Sequence, residues 1–382
     1  MQTIYFDNNA TTPLAPEVRE AMAPYLSERF GNPSSGHRFG EAARQGVDKA
    51  REQVAALLGC HPGRIVFTGG GTEGNNTAIM SAVRANPEKR HIVSSRVEHG
   101  SVLAPLAFLA GQGYEVELLP VAADGGLDLA ALENAIRADT ALVSLMAANN
   151  ETGVLWPVAE IAAICREKGA LFHCDAIQLA GKAPLAVEEW GVDYLSLASH
   201  KLHGPKGVGA LSVRRAAPFT PLLLGAGQEN GRRAGTENVA GLAGFGMAAA
   251  LAASLGEGER RRIAALRDRL EAGILASIPE ALVNGAGLPR LVNTLNVSFR
   301  HASSAGLLQD LDSLGIAVSA HAACQSGDLD PSHVLRAMGV PESFLHGTLR
   351  ISLSRYSTEA EVERLLAVLP GVVARSRRGF AP

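Results

Sequence analysis

The stretch SLASHKLHGPKGVGALSV, residues 196–213, links the predicted fold of this chain to its predicted chemistry. An apolar run ends just before Lys201, and a Gly-Pro-Lys-Gly turn separates Lys201 from the next apolar run. One interpretation is a solvated loop that follows a strand. The other is that Lys201 is a reactive amine, buried enough to form an imine. The surrounding sequence has to decide between these two interpretations.

The composition indicates a tightly packed α/β protein. Of the 382 residues 47% are hydrophobic, and 41 are glycines, as expected where many turns join strands to helices. A chain of this length can form one large domain with a smaller one. Its 35 Lys and Arg residues nearly balance 38 Asp and Glu residues, without a basic block that would bind nucleic acid or lipid headgroups. We therefore expect neither a nucleic-acid partner nor a membrane partner.

Three features of the sequence bear on where the protein is located. The N-terminal residues MQTIYFDNNATTP lack the cationic segment and apolar run of a signal peptide. The longest apolar run, residues 241–256, is short and rich in Ala and Gly, which favours a buried helix over a membrane span. The four cysteines, Cys60, Cys165, Cys174 and Cys324, have no metal-ligand spacing. These features predict a cytoplasmic protein with free thiols.

Strand-like and helix-like segments alternate along most of the chain. Apolar runs such as ALVSLMAAN and YLSLAS lie between helix-period segments such as LDLAALENAIRAD. This alternation predicts a mostly parallel mixed sheet covered by helices on both faces. From about residue 255 the order of segments changes. We predict a large α/β domain over residues 16–254 and a smaller α+β domain formed by residues 1–15 and 255–382.

A glycine-rich turn lies where the predicted sheet would bind a ligand, outside the carboxyl ends of its strands. The segment TGGGTEGNN follows the run RIVF and opens a helix. Gly71 and Thr72 then stand at a helix N-terminus, whose free amide groups favour an anion. The spacing is neither a dinucleotide fingerprint nor a Walker loop. A plain tight turn therefore remains an alternative.

Further polar residues follow other predicted strands. His99 stands at a helix start, and Asn150 lies in the cluster ANNETG. Asp175 ends an apolar strand, with Gln178 three residues later. Each has an ordinary explanation, since His99 could be a capping or core residue and Asp175 a helix N-cap. A carboxylate at the mouth of a buried sheet is equally suited to pairing with a cationic ring nitrogen.

Together these parts match the needs of pyridoxal phosphate. This cofactor requires a lysine for a Schiff base, an anion site for its phosphate and a carboxylate that keeps its ring nitrogen protonated. Lys201, the turn at Gly71 and Thr72, and Asp175 supply these three groups. Their order along the chain matches the fold-type I aminotransferases, which predicts a fold-type I pyridoxal-phosphate-dependent transferase.

The whole chain resembles the cysteine desulfurases of the NifS/IscS group, within the class-V aminotransferases. Ten motifs carry the resemblance in order: YFDNNATTPLAPEV, FGNPSSGHRFG, IVFTGGGTEGNNTAI, EHGSV, ANNETG, HCDAIQLAGK, SHKLHGPKGVGAL, GRRAGTENV, DPSHVLRAMG and LRISLSRY. RRAGTEN and SHKLHGPKGVG look closer to the nitrogen-fixation type than to the housekeeping type. The resemblance implies a homodimer.

The resemblance also implies a role for each matching residue. Lys201 would carry the Schiff base, Asp175 would pair with the ring nitrogen, and His99 would stack on the ring. Arg350 would take the substrate carboxylate as a bidentate partner, with Asn32 a weaker candidate for the same task. The remaining cofactor contacts fall into two sets: Gln178 and Asn150 around the ring's 3-oxygen, and Gly71, Thr72, Ser199 and His200 around the phosphate, joined by Thr236 from a second subunit.

Cys324 decides which reaction the resemblance implies. The family usually has Ser-Ser-Gly-Ser-Ala-Cys where this chain has Ser-Ala-His-Ala-Ala-Cys, so a glycine and two hydroxyls are lost and His321 is gained. The thiol itself is kept. The implied reaction converts L-cysteine to L-alanine and leaves a persulfide on Cys324. The sulfur would then pass to a scaffold protein that assembles iron–sulfur clusters, including those of nitrogenase.

Some consequences concern partners that the enzyme would not bind stably. The resemblance implies no stable metal, although Cys324 would contact an iron–sulfur cluster transiently through its persulfide. Transfer RNA thiolation would be reached only through other proteins.

Two other classes of function remain open at this stage. An ordinary class-V aminotransferase, or a cysteine or selenocysteine lyase, needs Lys201 and Asp175 but no loop thiol, so the presence of Cys324 weighs against it. A non-catalytic relative that acts as a binding subunit is disfavoured by the intact set of Lys201, Asp175, His99 and Cys324.

Overall fold

The computed structural model describes residues 3–320 and 331–378 of the chain. Its strands are β1 (Ile4–Tyr5), β2 (Ile65–Thr68), β3 (His91–Ser95), β4 (Glu115–Leu119), β5 (Thr140–Met146), β6 (Leu171–Asp175), β7 (Tyr194–Ala198), β8 (Gly209–Val213), β9 (Ala281–Val283), β10 (Thr294–Phe299), β11 (Ile316–Ala317) and β12 (Thr348–Ser352). Its α-helices are α1 (Pro16–Ser27), α2 (Arg38–Leu58), α3 (Gly71–Ala85), α4 (Gly100–Ala110), α5 (Leu129–Ala135), α6 (Val158–Lys168), α7 (Val187–Trp190), α8 (Val239–Ala253), α9 (Glu257–Ser277), α10 (Ser304–Ser313), α11 (His333–Ala337), α12 (Glu342–Leu345) and α13 (Glu359–Arg378).

The helix α2 illustrates how the local sequence sets the helices that cover the sheet. The side chain of His37 accepts a hydrogen bond from the amide of Gly40 and so caps the N-terminus. Gly59 ends the helix in the left-handed region at φ +62°, where a residue with a Cβ is disfavoured. Val47, Val54 and Leu58 recur at helical spacing and are buried. The apolar side of α2 therefore faces the core, in contact with α8.

A seven-stranded sheet forms the centre of the larger part of the molecule, in the order β2-β8-β7-β6-β5-β3-β4. β8 pairs antiparallel with both β2 and β7. The pairs β3–β4, β3–β5, β5–β6 and β6–β7 are parallel. Since β2 and β7 both run against β8, β2 has the direction of the remaining strands. The predicted mostly parallel mixed sheet is therefore confirmed.

Both faces of this sheet are buried. Ile65 and Phe67 belong to one hydrophobic cluster, whereas Val66 between them belongs to another. Because successive side chains of a strand point to opposite faces, the two clusters lie on opposite sides of the sheet. Because both faces are buried, the strands are almost continuously apolar in the sequence.

A second hydrophobic cluster is built on smaller sheets. β12, β10 and β9 form an antiparallel sheet, and β1 pairs in parallel with β11. Ile4 and Phe6 from the N-terminal segment join this cluster together with residues of α9, α10 and α13. Val334 and Leu335 of α11 pack instead into the large cluster. The division into residues 16–254 and residues 1–15 with 255–382 stays a prediction.

Among the described residues, no single helix is both long and apolar enough to cross a bilayer. The helices α8 and α9 reach the required length and composition only as a pair, and a bend of 84° separates them.

The direction of the strands gathers several chain segments at one edge of the large sheet. β3, β5, β6 and β7 are parallel, so their carboxyl ends, at Ser95, Met146, Asp175 and Ala198, open toward the same side. The residues that follow these ends are those that the sequence analysis selected. The topology therefore brings them within reach of one another.

Candidate active site

A cavity of about 270 Å³ lies at the carboxyl edge of the large sheet. The N-terminal segment and β12 contribute to its wall as well. Most of the predicted site residues line it: Gly71, Thr72, His99, Asn150, Asp175, Gln178, His200, Lys201 and Arg350. Residues that the sequence analysis did not select also line it, among them Asn9, Ala10, Ser101 and Ile177.

Lys201 lies in a 3₁₀ turn, Ser199–Lys201, directly after β7. Its amine donates hydrogen bonds to the backbone oxygens of Asn9 and of Ala10, the latter at 2.7 Å. The side chain is half-buried and lines the cavity. Lys206, the other lysine of the stretch, is exposed. Of the two interpretations of residues 196–213, the geometry therefore favours the one in which Lys201 is part of a site.

Asp175 is held in place from two sides. Its Oδ1 accepts from the amide of Ile177 at 3.0 Å, and its Oδ2 accepts from the side-chain amide of Asn75 at 2.7 Å. Asn75 is fully buried on α3 and donates also to the hydroxyl of Ser101 at 2.8 Å. The first contact is the turn-capping role that the sequence allowed. The second fixes the orientation of the carboxylate beside the cavity.

His99 combines its two possible roles. It is the N-cap of α4, and its Nδ1 accepts from the amide of Ser101 at 3.1 Å. The hydrogen-bond pattern thus assigns the proton of the neutral ring to Nε2. Burial lowers the pKa of His99, and the charge of Lys201 lowers it further, while Asp175 acts in the opposite direction. His99 is therefore a neutral imidazole that lines the cavity while it caps a helix.

The start of α3 offers an anion site. Gly70 has φ +149°, a backbone conformation that favours glycine, and a Cβ on the neighbouring Gly71 would lie 2.1 Å from Cδ1 of Ile177, which would have to move. An open cleft beside it is lined by Gly71 and Thr72 together with His200. Burial lowers the pKa of His200 to about 4, so its ring is neutral. The backbone amides of the helix start provide the positive potential here.

Arg350 is almost fully buried, with a side-chain exposure of 1%. Its Nη2 donates to Oδ1 of Asp7 at 2.8 Å, and its Nη1 donates to the backbone oxygen of Asn150 at 3.2 Å. Its Nε is buried and has no hydrogen-bond partner among the described residues. A buried guanidinium that lines the cavity and retains unused donors is suited to binding a carboxylate.

Some predicted residues do not line the cavity. Ser199 is fully buried, and its hydroxyl finds no partner in the described part of the chain. Asn32 is exposed, and its Oδ1 accepts from the amide of Ser34. Thr236 is exposed and lines a separate cleft with Gly69. Cys324 and His321 lie outside the described residues, so their predicted roles stay predictions.

Asn9 is the main site residue without a predicted role. It is buried, and its backbone oxygen accepts hydrogen bonds from Lys201 and, at 2.8 Å, from Nε2 of Gln178. Its side-chain amide donates to the backbone oxygen of Asn150 and to the hydroxyl of Thr294. The polar run NNATT, residues 8–12, was the sequence signal that could have indicated a role for Asn9.

Glu98 was missed as well. It precedes His99, is fully buried, and its Oε1 accepts from the hydroxyl of Ser95 and the amide of Met146. Burial raises the pKa of Glu98 to about 8, against the effect of these two hydrogen bonds. The carboxyl group is therefore protonated at neutral pH. A glutamate three residues after the buried strand β3 was the available signal.

The donors and acceptors of the cavity fit pyridoxal phosphate. The amine of Lys201 and the carboxylate of Asp175 face the same space, and the start of α3 opens at its side. The buried hydroxyl of Ser199, two residues before Lys201, has no hydrogen-bond partner in the described part of the chain. These are the three kinds of group that the cofactor requires.

Comparisons with known proteins agree with this geometry. The family model of class-V aminotransferases matches residues 4–365. Cysteine desulfurase 2 of Trichormus variabilis is 51% identical over 377 residues, which are 99% of this chain and 94% of that relative. The cysteine desulfurase NifS of Azotobacter vinelandii is 48% identical over 378 residues, again 99% and 94% of the two chains. The solved structure of a NifS-like protein superposes with a TM-score of 0.91 at 37% identity, covering 98% of this chain and 100% of that one.

Proposed function

Because the chain belongs to the class-V aminotransferase family, and within it to the cysteine desulfurases, we propose that it converts L-cysteine to L-alanine and retains the sulfur on the thiol of Cys324. One observation carries the proposal from the side of the geometry. The amine of Lys201, the carboxylate of Asp175 and the guanidinium of Arg350 meet at a single cavity. These groups suit an amino-acid substrate that reacts at its α-carbon.

Members of this family depend on pyridoxal phosphate, and the cavity fits this cofactor. Lys201 and Asp175 would hold its ring, Gln178 and Asn150 would surround the 3-oxygen, and His99 would stack on it. When bound, the cofactor supplies a protonated ring that accepts electron density from the substrate's α-carbon. The phosphate would be held at the start of α3 by Gly71, Thr72, Ser199 and His200, with Thr236 of a second subunit.

The chain's own residues bind the substrate and move protons. Arg350 lines the cavity, has an unused donor at Nε and would bind the substrate carboxylate. The amine of Lys201 would take the α-proton of the substrate at Nζ and return a proton to the carbon fragment. His99, neutral and with its proton on Nε2, would assist that transfer. Asn32 is a secondary candidate for contact with the carboxylate.

The sulfur step needs a thiolate. The thiolate of Cys324 attacks the substrate sulfur, the carbon–sulfur bond breaks, and its electron pair stays with the carbon fragment, which takes up protons and leaves as L-alanine. The product on the enzyme is a persulfide. The other cysteines are poor nucleophiles, because burial raises the pKa of Cys60 and of Cys174 and raises that of Cys165 to about 12.

The destination of the sulfur and the assembly of the enzyme belong to the same proposal. The persulfide would pass to an iron–sulfur scaffold protein in the cytoplasm, either for cluster assembly in general or for nitrogenase. A homodimer would bring Thr236 to the phosphate of the partner subunit. Thr236 is exposed in this chain, which is consistent with a contact to a second copy. Sedimentation of a fully active monomer at assay concentration would refute the role of Thr236.

The alternative function is a class-V aminotransferase, or a cysteine or selenocysteine lyase, that passes no sulfur through a persulfide. It is not favoured, because the relatives at about half identity are cysteine desulfurases. One assay tests the proposed reaction: purified protein, L-cysteine and a reductant, with sulfide and alanine measured together. The proposal expects equal amounts of both. Pyruvate in place of alanine would favour the lyase. The absence of both sulfide and alanine would refute the proposed function.

A further inference from the structure

A second lysine lies behind Lys201 and touches the same residues. After β6 the chain forms helical turns, in which the amide of Ala183 donates to the oxygen of Leu179. Gln178 and Lys182, four positions apart, thus come to the same side. The amine of Lys182 donates to Oε1 of Gln178 at 2.6 Å and to Oδ1 of Asn9 at 3.3 Å. None of the roles derived above involves Lys182.

Two contacts hold the Gln178 side chain in its orientation. The backbone oxygen of Asn9 can only accept, so Nε2 of Gln178 is directed toward it, at 2.8 Å. Oε1 of Gln178 then accepts from the amine of Lys182 on the other side. The backbone oxygen of Asn9 accepts also from the amine of Lys201. Lys182 is therefore linked to Lys201 through two intervening residues.

We propose that Lys182 is a positioning residue of this site: it holds Gln178 and Asn9 in the orientation in which they in turn hold the amine of Lys201 and one side of the cofactor. The inference rests on the proposed function in that it takes Lys201 as the reactive amine and Gln178 as a contact of the cofactor. Lys182 does not line the main cavity, so it acts through Gln178 and Asn9 and not on substrate.

The surroundings of Lys182 favour the neutral form of its amine. Burial lowers the pKa of Lys182 well below its ordinary value, and the charges of Lys201 and Arg350 lower it further. A narrow cavity of about 40 Å³ behind it is lined by His203 and Arg355, and no carboxylate is among its described lining residues. The two hydrogen bonds of Lys182, to the side-chain oxygens of Gln178 and Asn9, are therefore the contacts through which it acts.

The first test uses the full-length protein loaded with pyridoxal phosphate and the variant Lys182→Met, which keeps an unbranched chain of similar length. We expect the dissociation constant of the cofactor to rise about tenfold, because the loss of this hydrogen bonding corresponds to roughly a tenfold change in affinity. The pH midpoint of the visible absorption should also shift. Lys168→Met, at an exposed lysine that pairs with Glu133, is the matched control and should change neither value.

A double variant tests the path through Gln178. Because Lys182 acts through both Gln178 and Asn9, Lys182→Met should change the cofactor affinity and pH midpoint of Gln178→Leu by less than it changes those of the wild type. Effects of the two substitutions that multiply independently would overturn the proposal, as would a single variant Lys182→Met with wild-type values. Should Lys182→Met fail to fold, Lys182→Gln, whose amide is one atom too short for both contacts, replaces it with the same expectation.

A second measurement needs neither cofactor nor substrate. In the cofactor-free protein, Lys182→Met loosens Asn9 and so releases the amine of Lys201 from the backbone oxygen that holds it. The rate at which an amine reagent modifies Lys201, located by peptide mass spectrometry, should rise about threefold. An unchanged rate would count against the proposal. This measurement does not use L-cysteine as a substrate. A protein without desulfurase activity would therefore refute the proposed function, whereas the modification rate of Lys201 would still test the inference about Lys182.

Discussion

The side-chain amide of Asn75 donates a hydrogen bond to Oδ2 of Asp175 at 2.7 Å. The two residues come from α3 and from the end of β6, and both are buried. The helix that offers its N-terminus to an anion thus also orients the carboxylate of the site. One rigid element therefore links the two ends of the proposed cofactor site, about one helical turn apart along α3.

Replacing Asn75 should destabilise the protein. Asn75→Leu removes the donor and leaves Oδ2 of Asp175 buried without this partner, which costs roughly 1–3 kcal/mol. Urea unfolding of the two proteins measures this difference in the free energy of unfolding. Asn76→Ala is the control, since Asn76 is only part-buried and bonds the backbone oxygen of Thr72. Equal losses in both variants would show that the contact with Asp175 is not the cause.

Replacing Lys201 should remove the covalent link to the cofactor. The wild-type protein incubated with pyridoxal phosphate should be yellow, with a visible band that borohydride abolishes, because the amine of Lys201 lines the cavity. Lys201→Ala should lack this borohydride-sensitive band, and Lys206→Ala, at an exposed lysine, should retain it. A wild-type protein that stays colourless would contradict the cofactor assignment.

Glu98 should make stability depend on pH. Its carboxyl has a pKa of about 8 in the folded protein against an ordinary 4.5, so it is protonated when folded and ionised when unfolded between these values. The stability it contributes is present in full below pH 4.5 and is lost as the pH rises toward 8. The slope is roughly 1.4 kcal/mol per pH unit.

Glu98→Gln keeps the shape of the protonated group and removes the titration. The free energy of unfolding, measured in urea at several pH values, should fall less steeply with pH in Glu98→Gln than in the wild type. Titrations shared by both proteins cancel in the difference. Parallel curves for the two proteins would show that Glu98 is already ionised in the folded state.

The four cysteines should behave differently. Cys324→Ala should keep the visible band and cysteine binding but lose sulfide release by orders of magnitude, because only the thiolate attacks sulfur. Cys60→Ala, Cys165→Ala and Cys174→Ala should each keep most of the activity, since burial raises the pKa of these thiols. Sulfide release is scored with L-cysteine and a reductant. Sulfide release from Cys324→Ala near the wild-type rate would favour the lyase function over the desulfurase function.

Much of the site could be predicted because parallel strands open toward one edge. His99, Asn150, Asp175 and Lys201 each follow such a strand, and the structure brings them to one cavity. The reversed direction of β8 was not predicted, although only residues 199–208 separate it from β7 and a parallel crossover needs a dozen or more residues.

The remaining contacts depend on long-range packing that local patterns do not encode. Asn9 reaches Lys201 only because the N-terminal segment packs across the strand ends. The pair of Asp7 and Arg350 likewise joins opposite ends of the chain. Thr236 and Asn32 do not line the cavity of their own chain, and their predicted contacts require a second subunit or a bound substrate.

The central claim is that sulfur from L-cysteine rests on Cys324. The most direct measurement is peptide mass spectrometry of the protein after incubation with L-cysteine, without reductant and with free thiols blocked. The account predicts one additional sulfur atom on the peptide that contains Cys324, formed together with alanine, and no such addition in Lys201→Ala. Alanine formed while the peptide of Cys324 gains no sulfur, or sulfur added to Cys60, Cys165 or Cys174 instead, would contradict it.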